Sequence, residues 1–368
     1  MVAVSLKKFF FFKQKTAYEI INTVSAFLLN RSSDLAALCG ASAASVVFTS
    51  GATEAANLVL TPDFRMGKTP LKIGRLYVSA IEHPAFREGG RFAKENAEEI
   101  PVTPAGTIDL DALKARLADH DRATGLPMVA VMFANNETGI IQPVEAVAAL
   151  VKEAGGVFVV DAVQAAGRVP LAIEAIGADF MVVSSHKISG PKGAGALVAR
   201  GEILMPSALI RGGGQEKGHR SGTENPVAIA GFGVAAEIAA RDIEGRMAAI
   251  ATKRDRLEAA MLAAAPDVLI HGRDGGRIGN TSFFTLPGLK AETGQIAFDL
   301  EGVALSAGSA CSSGKVGQSY VLTAMGHDAG QGALRISIGP GTTDAEIDRC
   351  AAIFAKVSGR RRLPVAAA

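Results

Sequence analysis

Lys187 has the sequence context of a lysine that reacts through its amine. It follows the apolar run Phe180–Ser184 and precedes a glycine-rich turn in SSHKISGPKGAG, residues 184–195, with small residues around it and no acidic neighbour. Schiff-base chemistry needs an amine that is accessible and easily deprotonated, and this context favours both properties. An ordinary surface lysine in a loop is the alternative interpretation.

A second segment, FTSGATEAANL at residues 48–58, passes from an apolar run into a helical pattern. Ser50 to Thr53 therefore fall at a predicted helix N-terminus, where free amide groups and a hydroxyl can bind a phosphate. A simple helix cap with no ligand is the alternative.

Two further motifs, ANNETGIIQP at 134–143 and VVDAVQAAG at 159–167, begin where predicted strands end. Open α/β sheets place their ligands at such strand ends. Asp161 ends an apolar strand, where a carboxylate is costly unless a cation meets it, and a protonated pyridine nitrogen would be a suitable one. A helix-capping aspartate is the alternative.

His83 lies in SAIEHPAF, residues 79–86, directly before a proline that opens a predicted helix. An imidazole in this place can stack on a planar ring or transfer protons. A purely structural histidine is the alternative.

Cys311 lies in SAGSACSSGKVGQSYVLTAMG, residues 306–326, where small residues on both sides predict an exposed, mobile loop. A nucleophilic thiolate needs such access. Cys39 follows an apolar leucine, and Cys350 shares the apolar face of the last predicted helix with Ile347 and Phe354. We therefore predict that Cys39 and Cys350 are core residues.

The elements that must position these residues alternate between short strands and helices, which predicts an α/β fold with a mostly parallel sheet covered by helices. Past residue 243 a long alanine-rich helix, isolated strands and a last helix with the capping box Thr343–Glu346 predict a smaller α+β domain. The expected domains are 34–243 (large) and 244–368 (small, C-terminal). The predicted strands of the large domain are Val46–Thr49, Arg75–Ser79, Met128–Phe133, Val157–Asp161, Phe180–Ser184 and Ala194–Ala199.

Charge and composition exclude several classes of partner. The 38 basic and 36 acidic residues give a net charge of +2 without a basic field, so nucleic acid is not expected. The sequence has no apolar run near the roughly 20 residues that cross a bilayer and no signal peptide, so no membrane association is expected. Three scattered cysteines predict neither a disulfide framework nor a metal cluster, which indicates a reducing compartment, the cytoplasm.

Residues 1–33 do not fit this pattern. They include four consecutive phenylalanines, and the first part shows neither helical nor strand periodicity. The stretch FFFFKQKTAYEI, with its RSSDL ending, resembles translated sequencing-library adapter. We expect the family-like sequence to begin near Asp34.

Seven motifs together resemble the cysteine desulfurases of the NifS/IscS-like group, in the family's order and spacing over about residues 34–358. They are FTSGATE, EHPA, ANNETG, DAVQ, SSHKISGPKG, GGGQEKGHRSGTENP and SAGSACSS. These enzymes belong to the class-V aminotransferase family and have the fold of type-I pyridoxal 5′-phosphate (PLP) transferases. The resemblance therefore implies a large domain with a mostly parallel sheet and PLP as cofactor.

The resemblance also implies a role for each site residue. Lys187 would bind PLP covalently, His83 would stack on its ring, and Asp161 would pair with the ring nitrogen. The phosphate would be bound by Ala52, Thr53, Ser184 and His186, and by Thr223 from the second subunit of a homodimer. The ring hydroxyl would be bound by Asn136 and Gln164. The substrate carboxylate would be bound by Arg335, with Asn136 beside it.

The implied reaction converts L-cysteine to L-alanine and leaves a persulfide on Cys311, from which sulfur passes to an acceptor or scaffold protein for iron–sulfur clusters or thio-cofactors. A selenocysteine lyase or another class-V enzyme is one alternative. An inactive truncated homologue is the other, because the family's Asp-Asn-Ala-Ala-Thr-like and Gly-Asn-Pro-Ser-Ser-like segments do not occur before Asp34. Arg211 also stands where the family often has histidine.

Overall fold

The computed structural model describes residues 31–308, 318–330 and 332–361. Residues 31–39 are helical. The strands that follow are β1 (Val46–Thr49), β2 (Asp63–Met66), β3 (Thr69–Ser79), β4 (Ala97–Ile100), β5 (Leu126–Met132), β6 (Val157–Asp161), β7 (Phe180–Ser184), β8 (Gly195–Ala199), β9 (Leu204–Pro206), β10 (Leu269–Ile270), β11 (Thr281–Thr285), β12 (Ser306–Ala307) and β13 (Leu334–Ser337). The helices are α1 (Ala52–Val59), α2 (Pro84–Arg87), α3 (Leu110–Ala118), α4 (Val144–Glu153), α5 (Ile173–Ile176), α6 (Pro226–Ala240), α7 (Ile243–Ala264), α8 (Ala291–Leu300), α9 (Tyr320–Ala324) and α10 (Asp344–Gly359).

The larger sheet has the strand order β1-β8-β7-β6-β5-β3-β2-β9, with β4 paired to β3. Its central strands β3, β5, β6 and β7 run parallel. At one edge, β8 pairs antiparallel with both β7 and β1, and at the other edge β2 pairs antiparallel with both β3 and β9. The predicted α/β fold with a mostly parallel sheet is therefore confirmed. Helices connect the parallel strands, as crossover connections require.

Both faces of this sheet are buried, which explains the continuous apolar runs of its central strands. Side chains alternate between two core clusters: in β6, Val157 and Val159 belong to one cluster, and Phe158 and Val160 belong to the other. The first cluster also contains the inward residues of α1. Because Asp161 continues the alternation of Val157 and Val159, its side chain lies on the face that α1 covers.

The second sheet is antiparallel, with the order β10-β11-β13-β12. Helices α7 and α10 pack on it around a separate core cluster that includes Leu257, Phe284 and Phe354. The capping box of α10 has the predicted form, since the Thr343 side chain accepts from the Glu346 amide and the Glu346 carboxylate accepts from the Thr343 amide. Within the described ranges, we find no helix with the length and apolar character needed to cross a membrane.

Candidate functional site

A cavity of about 470 Å³ opens at the carboxyl ends of β5, β6 and β7. The final residues of these strands, Met132, Asp161 and Ser184, all line it. Nine residues predicted from the sequence contribute to the wall: Ala52, Thr53, His83, Asn136, Asp161, Gln164, Ser184, His186 and Lys187. The parallel sheet therefore brings segments from six separate parts of the chain to one place.

Asp161 is a buried carboxylate in this cavity, 6% exposed. Its Oδ1 accepts a hydrogen bond from the Val163 amide at 2.9 Å, and it forms no ion pair with any described residue. Burial raises the pKa of Asp161 to about 6, against the opposing effects of the Val163 amide and the Lys187 charge. A cation bound in the cavity would stabilise the ionised form.

Lys187 lies in a short 3₁₀ helix, Ser185–Ile188, that follows β7 directly. The turn ends at Ser189, whose φ of 69° is in the left-handed region. This sharp turn holds the half-buried Lys187 at the carboxyl end of β7, near Asp161 and His83. The Lys187 charge lowers the pKa of both neighbours, although burial has the larger effect on each.

One end of the cavity is suited to a phosphate. Helix α1 begins there after Gly51, which supplies no side-chain cap, so the first amides of the helix remain available. Strand β8 approaches this turn so closely that a Cβ at Gly195 would lie 2.5 Å from the Gly51 carbonyl carbon. Across the cavity wall, the Ser184 hydroxyl and His186 Nδ1 are 2.8 Å apart.

His83 caps α2, and its Nδ1 accepts a hydrogen bond from the Ala85 amide at 3.1 Å. A ring nitrogen that accepts cannot carry the proton, so the neutral imidazole carries it on Nε2. Burial, with a smaller contribution from Lys187, lowers the pKa of His83. The ring is therefore neutral near pH 7 and has one N–H available.

Arg335 on β13 approaches the site from the second sheet. Its Nη1 donates to the Asn136 carbonyl at 2.5 Å, and its buried Nε has no partner among the described residues. The Asn136 side-chain Oδ1 is likewise buried and unpartnered in the described chain. Both groups retain hydrogen-bonding capacity for a ligand.

Thr223 does not line the cavity of its own chain but lies on an exposed loop. Arg220, three residues before Thr223, forms an ion pair with Glu54 of α1 at 2.8 Å. This ion pair holds the loop near the end of the cavity that is suited to a phosphate. The predicted contact of Thr223 across a dimer stays a prediction.

Cys311 lies outside the described residues, so its predicted exposure stays a prediction. Cys39 and Cys350 are buried and unpaired, as predicted. Burial raises the pKa of Cys39 to about 12 and that of Cys350 to about 11. Neither thiol is therefore ionised near pH 7, and neither is suited to act as a nucleophile.

Glu82, the residue before His83, has no role predicted from the sequence. Glu82 is fully buried, its Oε1 accepts from the Met132 amide at 2.6 Å, and its Oε2 has no partner in the described chain. Burial, and then the nearby Asp161 carboxylate, raises the pKa of Glu82 well above its usual value. Only its place beside His83 could have indicated that it belongs to the site.

Glu137, in the ANNETG motif, is a second buried carboxylate without an assigned role. Its Oε2 accepts from the Ser319 hydroxyl at 2.5 Å, across 182 residues of sequence. Burial raises the pKa of Glu137, although Ser319 and the charge of Arg335 oppose this. Because the partner is so distant in sequence, no local signal could have indicated this contact.

These residues fit the PLP that the resemblance implies. The cavity combines an amine, a helix N-terminus with amides available for a phosphate and, as far as the described residues show, a buried carboxylate without an ion pair and an unbonded amide oxygen on Asn136. Each of these groups complements one part of a phosphorylated pyridine aldehyde.

Comparisons with known proteins identify the family of the chain. The sequence pattern of the class-V aminotransferases matches residues 17–350, and so begins before residue 34. The chain is 36% identical to a cysteine desulfurase of Nostoc over 339 residues, covering 89% of this chain and 81% of the relative. It is 34% identical to the IscS-like cysteine desulfurase of Mycobacterium tuberculosis over 339 residues, covering 89% and 85%.

Among solved structures, the chain is similar to the NifS-like protein of Rickettsia africae. The TM-score is 0.82 with 30% identity, and the match covers 94% of this chain and 91% of the other.

Proposed function

This chain belongs to the class-V aminotransferase family and, within it, to the cysteine desulfurases, and on that premise we propose that it binds PLP on Lys187 and moves the sulfur of L-cysteine onto Cys311. The observation that carries the proposal is the single cavity in which Lys187 lies beside the buried carboxylate of Asp161. When bound there, PLP supplies an electron sink for negative charge that develops on the substrate.

The residues of the chain then have separate tasks. Asp161 would stay ionised against a protonated ring nitrogen, and Asn136 and Gln164 would form hydrogen bonds with the ring hydroxyl. Arg335 binds the substrate carboxylate, for which its planar guanidinium is well suited. The Lys187 amine would serve as the base that removes the α-proton of the substrate. The neutral His83, with a proton on Nε2, transfers protons near the departing sulfur.

Sulfur transfer requires a nucleophile on the protein. The Cys311 thiolate attacks the substrate sulfur, a sulfur–sulfur bond forms, and the carbon–sulfur bond of the substrate breaks with its electron pair left on carbon. Protonation of that carbon gives alanine, and Cys311 remains as a persulfide. This balance needs no external oxidant or reductant.

We also propose the wider setting of this reaction. A homodimer would bring Thr223 of each chain to the phosphate of the other, and an acceptor or scaffold protein would take the sulfur for iron–sulfur clusters or thio-cofactors. The unpaired, buried thiols of Cys39 and Cys350 support a reducing compartment, the cytoplasm.

The test compares Cys311→Ser with Cys350→Ser as a matched control. Alanine release from L-cysteine and the persulfide on the protein are both measured on the PLP-loaded enzyme. We expect Cys311→Ser to lose both products while Cys350→Ser keeps them. Persulfide formation at the parent rate by Cys311→Ser would refute the role of Cys311.

The same assay with L-selenocysteine examines the rival activity. Turnover of selenocysteine with none of cysteine would favour a selenocysteine lyase. Turnover of neither by a PLP-loaded parent chain would favour an inactive homologue.

A further inference from the structure

Arg168 connects two segments that contribute residues to the cavity. Its Nη1 donates to the Gln164 carbonyl at 2.9 Å, and its Nη2 donates to the Lys187 carbonyl at 3.0 Å. One planar guanidinium therefore joins the turn after β6 to the 3₁₀ helix after β7.

The backbone around Gly167 directs Arg168 to this place. Gly167 has a φ of 70°, in the left-handed region, and a Cβ there would lie 2.9 Å from the Ala239 Cβ of α6. The Arg168 amide donates to the Ala165 carbonyl, which closes a tight turn. This turn aligns the Arg168 side chain with the Gln164 carbonyl four residues earlier.

The Lys187 carbonyl is a suitable acceptor for a cation. It lies in the last turn of the 3₁₀ helix Ser185–Ile188, where carbonyl groups lack partners within the helix. A positive charge at a helix C-terminus is also favourable. The Arg168 guanidinium supplies both the hydrogen bond and the charge.

Arg168 is mostly buried yet forms no salt bridge with a carboxylate of the described chain. Burial, and then the nearby Arg335, lowers the pKa of Arg168 to about 10, so the guanidinium stays protonated near pH 7. A cation is expensive to bury without a counter-ion, and in the described part of the chain the acceptors of the Arg168 guanidinium are backbone carbonyls. The effect of Arg335 on the pKa of Arg168 also shows that the two guanidiniums lie near each other beside the cavity.

We propose that Arg168 is a positioning residue that fixes the Lys187 backbone relative to the Gln164 backbone, and so sets where the lysine amine meets the cofactor ring. This inference rests on the proposed function, since it concerns the same PLP site. A displacement of about 1 Å between reacting groups can cost roughly 100-fold in rate, so such a link has a large effect.

The test measures PLP affinity and the visible absorption band of the bound cofactor. Arg168→Met keeps the apolar length of the side chain but removes both hydrogen bonds, and Arg168→Lys keeps the charge on one nitrogen. Arg91→Met is the matched control, because Arg91 also donates to backbone carbonyls, but its acceptor residues Asn57, Leu58 and Ser207 do not line the cavity.

We expect Arg168→Met to raise the dissociation constant of PLP about 10-fold and to shift the pH midpoint of the visible band, with Arg168→Lys intermediate. Arg91→Met should lower thermal stability without either change. The proposal would be overturned if Arg168→Lys had the same PLP affinity and the same pH midpoint of the visible band as the parent. Arg168→Lys also decides the question if Arg168→Met does not fold. Failure of the parent chain itself to bind PLP would instead refute the proposed function.

Discussion

The carboxyl groups of Asp161 and Glu82 are buried side by side near the cavity, and each accepts one backbone hydrogen bond. Burial raises the pKa of both, and the charge of Asp161 raises that of Glu82 further. Without the cofactor, ionising Asp161 therefore costs folding free energy. The residue that prepares the site for a cation also destabilises the empty protein.

Replacing Asp161 with asparagine should stabilise the cofactor-free protein at high pH. The folded-state pKa is raised from 3.8 to about 6, so the folded protein holds this proton more tightly than the unfolded chain does. The contribution of Asp161 to the free energy of unfolding is most favourable below about pH 4 and is lost as the pH rises through about 6. We expect Asp161→Asn to remove this loss, worth about 2–3 kcal/mol at pH 8.

Denaturant unfolding of the cofactor-free proteins at pH 4 and pH 8 measures this effect. Asp299→Asn, at an exposed position on α8, is the control and should change little at either pH. The same loss of stability between the two pH values in Asp161→Asn and the parent would contradict the assignment.

The sequence predicted which residues meet at this site better than it predicted their contacts. Asp161, Ser184 and Lys187 all line the cavity, because Asp161 and Ser184 end apolar strands of the parallel sheet and Lys187 follows the second of these strands. Glu82 was missed because its hydrogen-bond partner, the Met132 amide, is 50 residues away in the sequence. Local patterns contain no information about such long-range partners.

Helix α9 is tied to the site at its first turn. Ser319 is fully buried, accepts from the Leu322 amide at 3.1 Å as the helix cap, and donates to Glu137. The next residue, Tyr320, donates its hydroxyl to the Glu82 carbonyl at 2.9 Å. This helix therefore holds the chain that follows Cys311 in sequence against two motifs of the site.

Removing the Ser319 hydroxyl should destabilise the protein more than the loss of an ordinary cap. Ser319→Ala loses the cap and leaves the Glu137 Oε2 without its donor in a buried place. We expect the free energy of unfolding to fall by about 2–4 kcal/mol, measured by denaturant unfolding.

Thr343→Ala is the matched control for Ser319→Ala, since Thr343 caps α10 at an exposed position. Its expected cost is only about 1 kcal/mol. Equal costs for the two substitutions would show that the bond to Glu137 adds nothing to the cap.

The sequence predicted β1, β6 and β7 to the residue, but it placed the start of β3 too late and missed β2. Val157–Asp161 and Phe180–Ser184 are buried on both faces, so their sequences are continuous apolar runs with clear ends. β3 begins at Thr69 rather than at the predicted Arg75, because its first residues pair with β2. β2 was missed because it exposes three of its four residues and lacks an apolar pattern.

A buried ion pair within the second domain lies next to a backbone contact with the first. Arg277 donates two hydrogen bonds of 2.9 Å to the Glu258 carboxylate on α7, and both side chains are almost fully buried. The backbone of Arg277 forms a bridge with Ile140, which follows the ANNETG motif. This contact links the second sheet to the candidate site.

Breaking this ion pair from one side should be costly. Arg277→Met leaves the Glu258 carboxylate buried without its partner, and we expect a loss of about 3–5 kcal/mol in the free energy of unfolding. The double variant Arg277→Met with Glu258→Leu should recover much of this loss, because no unpaired charge remains. A double variant as unstable as the sum of both single ones would contradict this explanation.

We propose that the boundary between a large domain, 34–243, and a small domain, 244–368, lies at the break between α6 and α7. α6 ends at Ala240 and α7 begins at Ile243, and the core of the second sheet starts with Met247. The change of pattern at this point was visible in the sequence because one long helix interrupts the alternation of strands and helices.

The proposal that Lys187 binds PLP is tested most directly by locating the cofactor on the chain. The PLP-loaded protein is reduced with borohydride, digested, and its peptides are analysed by mass spectrometry, with Lys192, which also lines the cavity, as the internal comparison. We expect a pyridoxyl group on Lys187 and none on Lys192. A pyridoxyl group on Lys192 with Lys187 unmodified, or a protein that binds no PLP, would contradict the proposal.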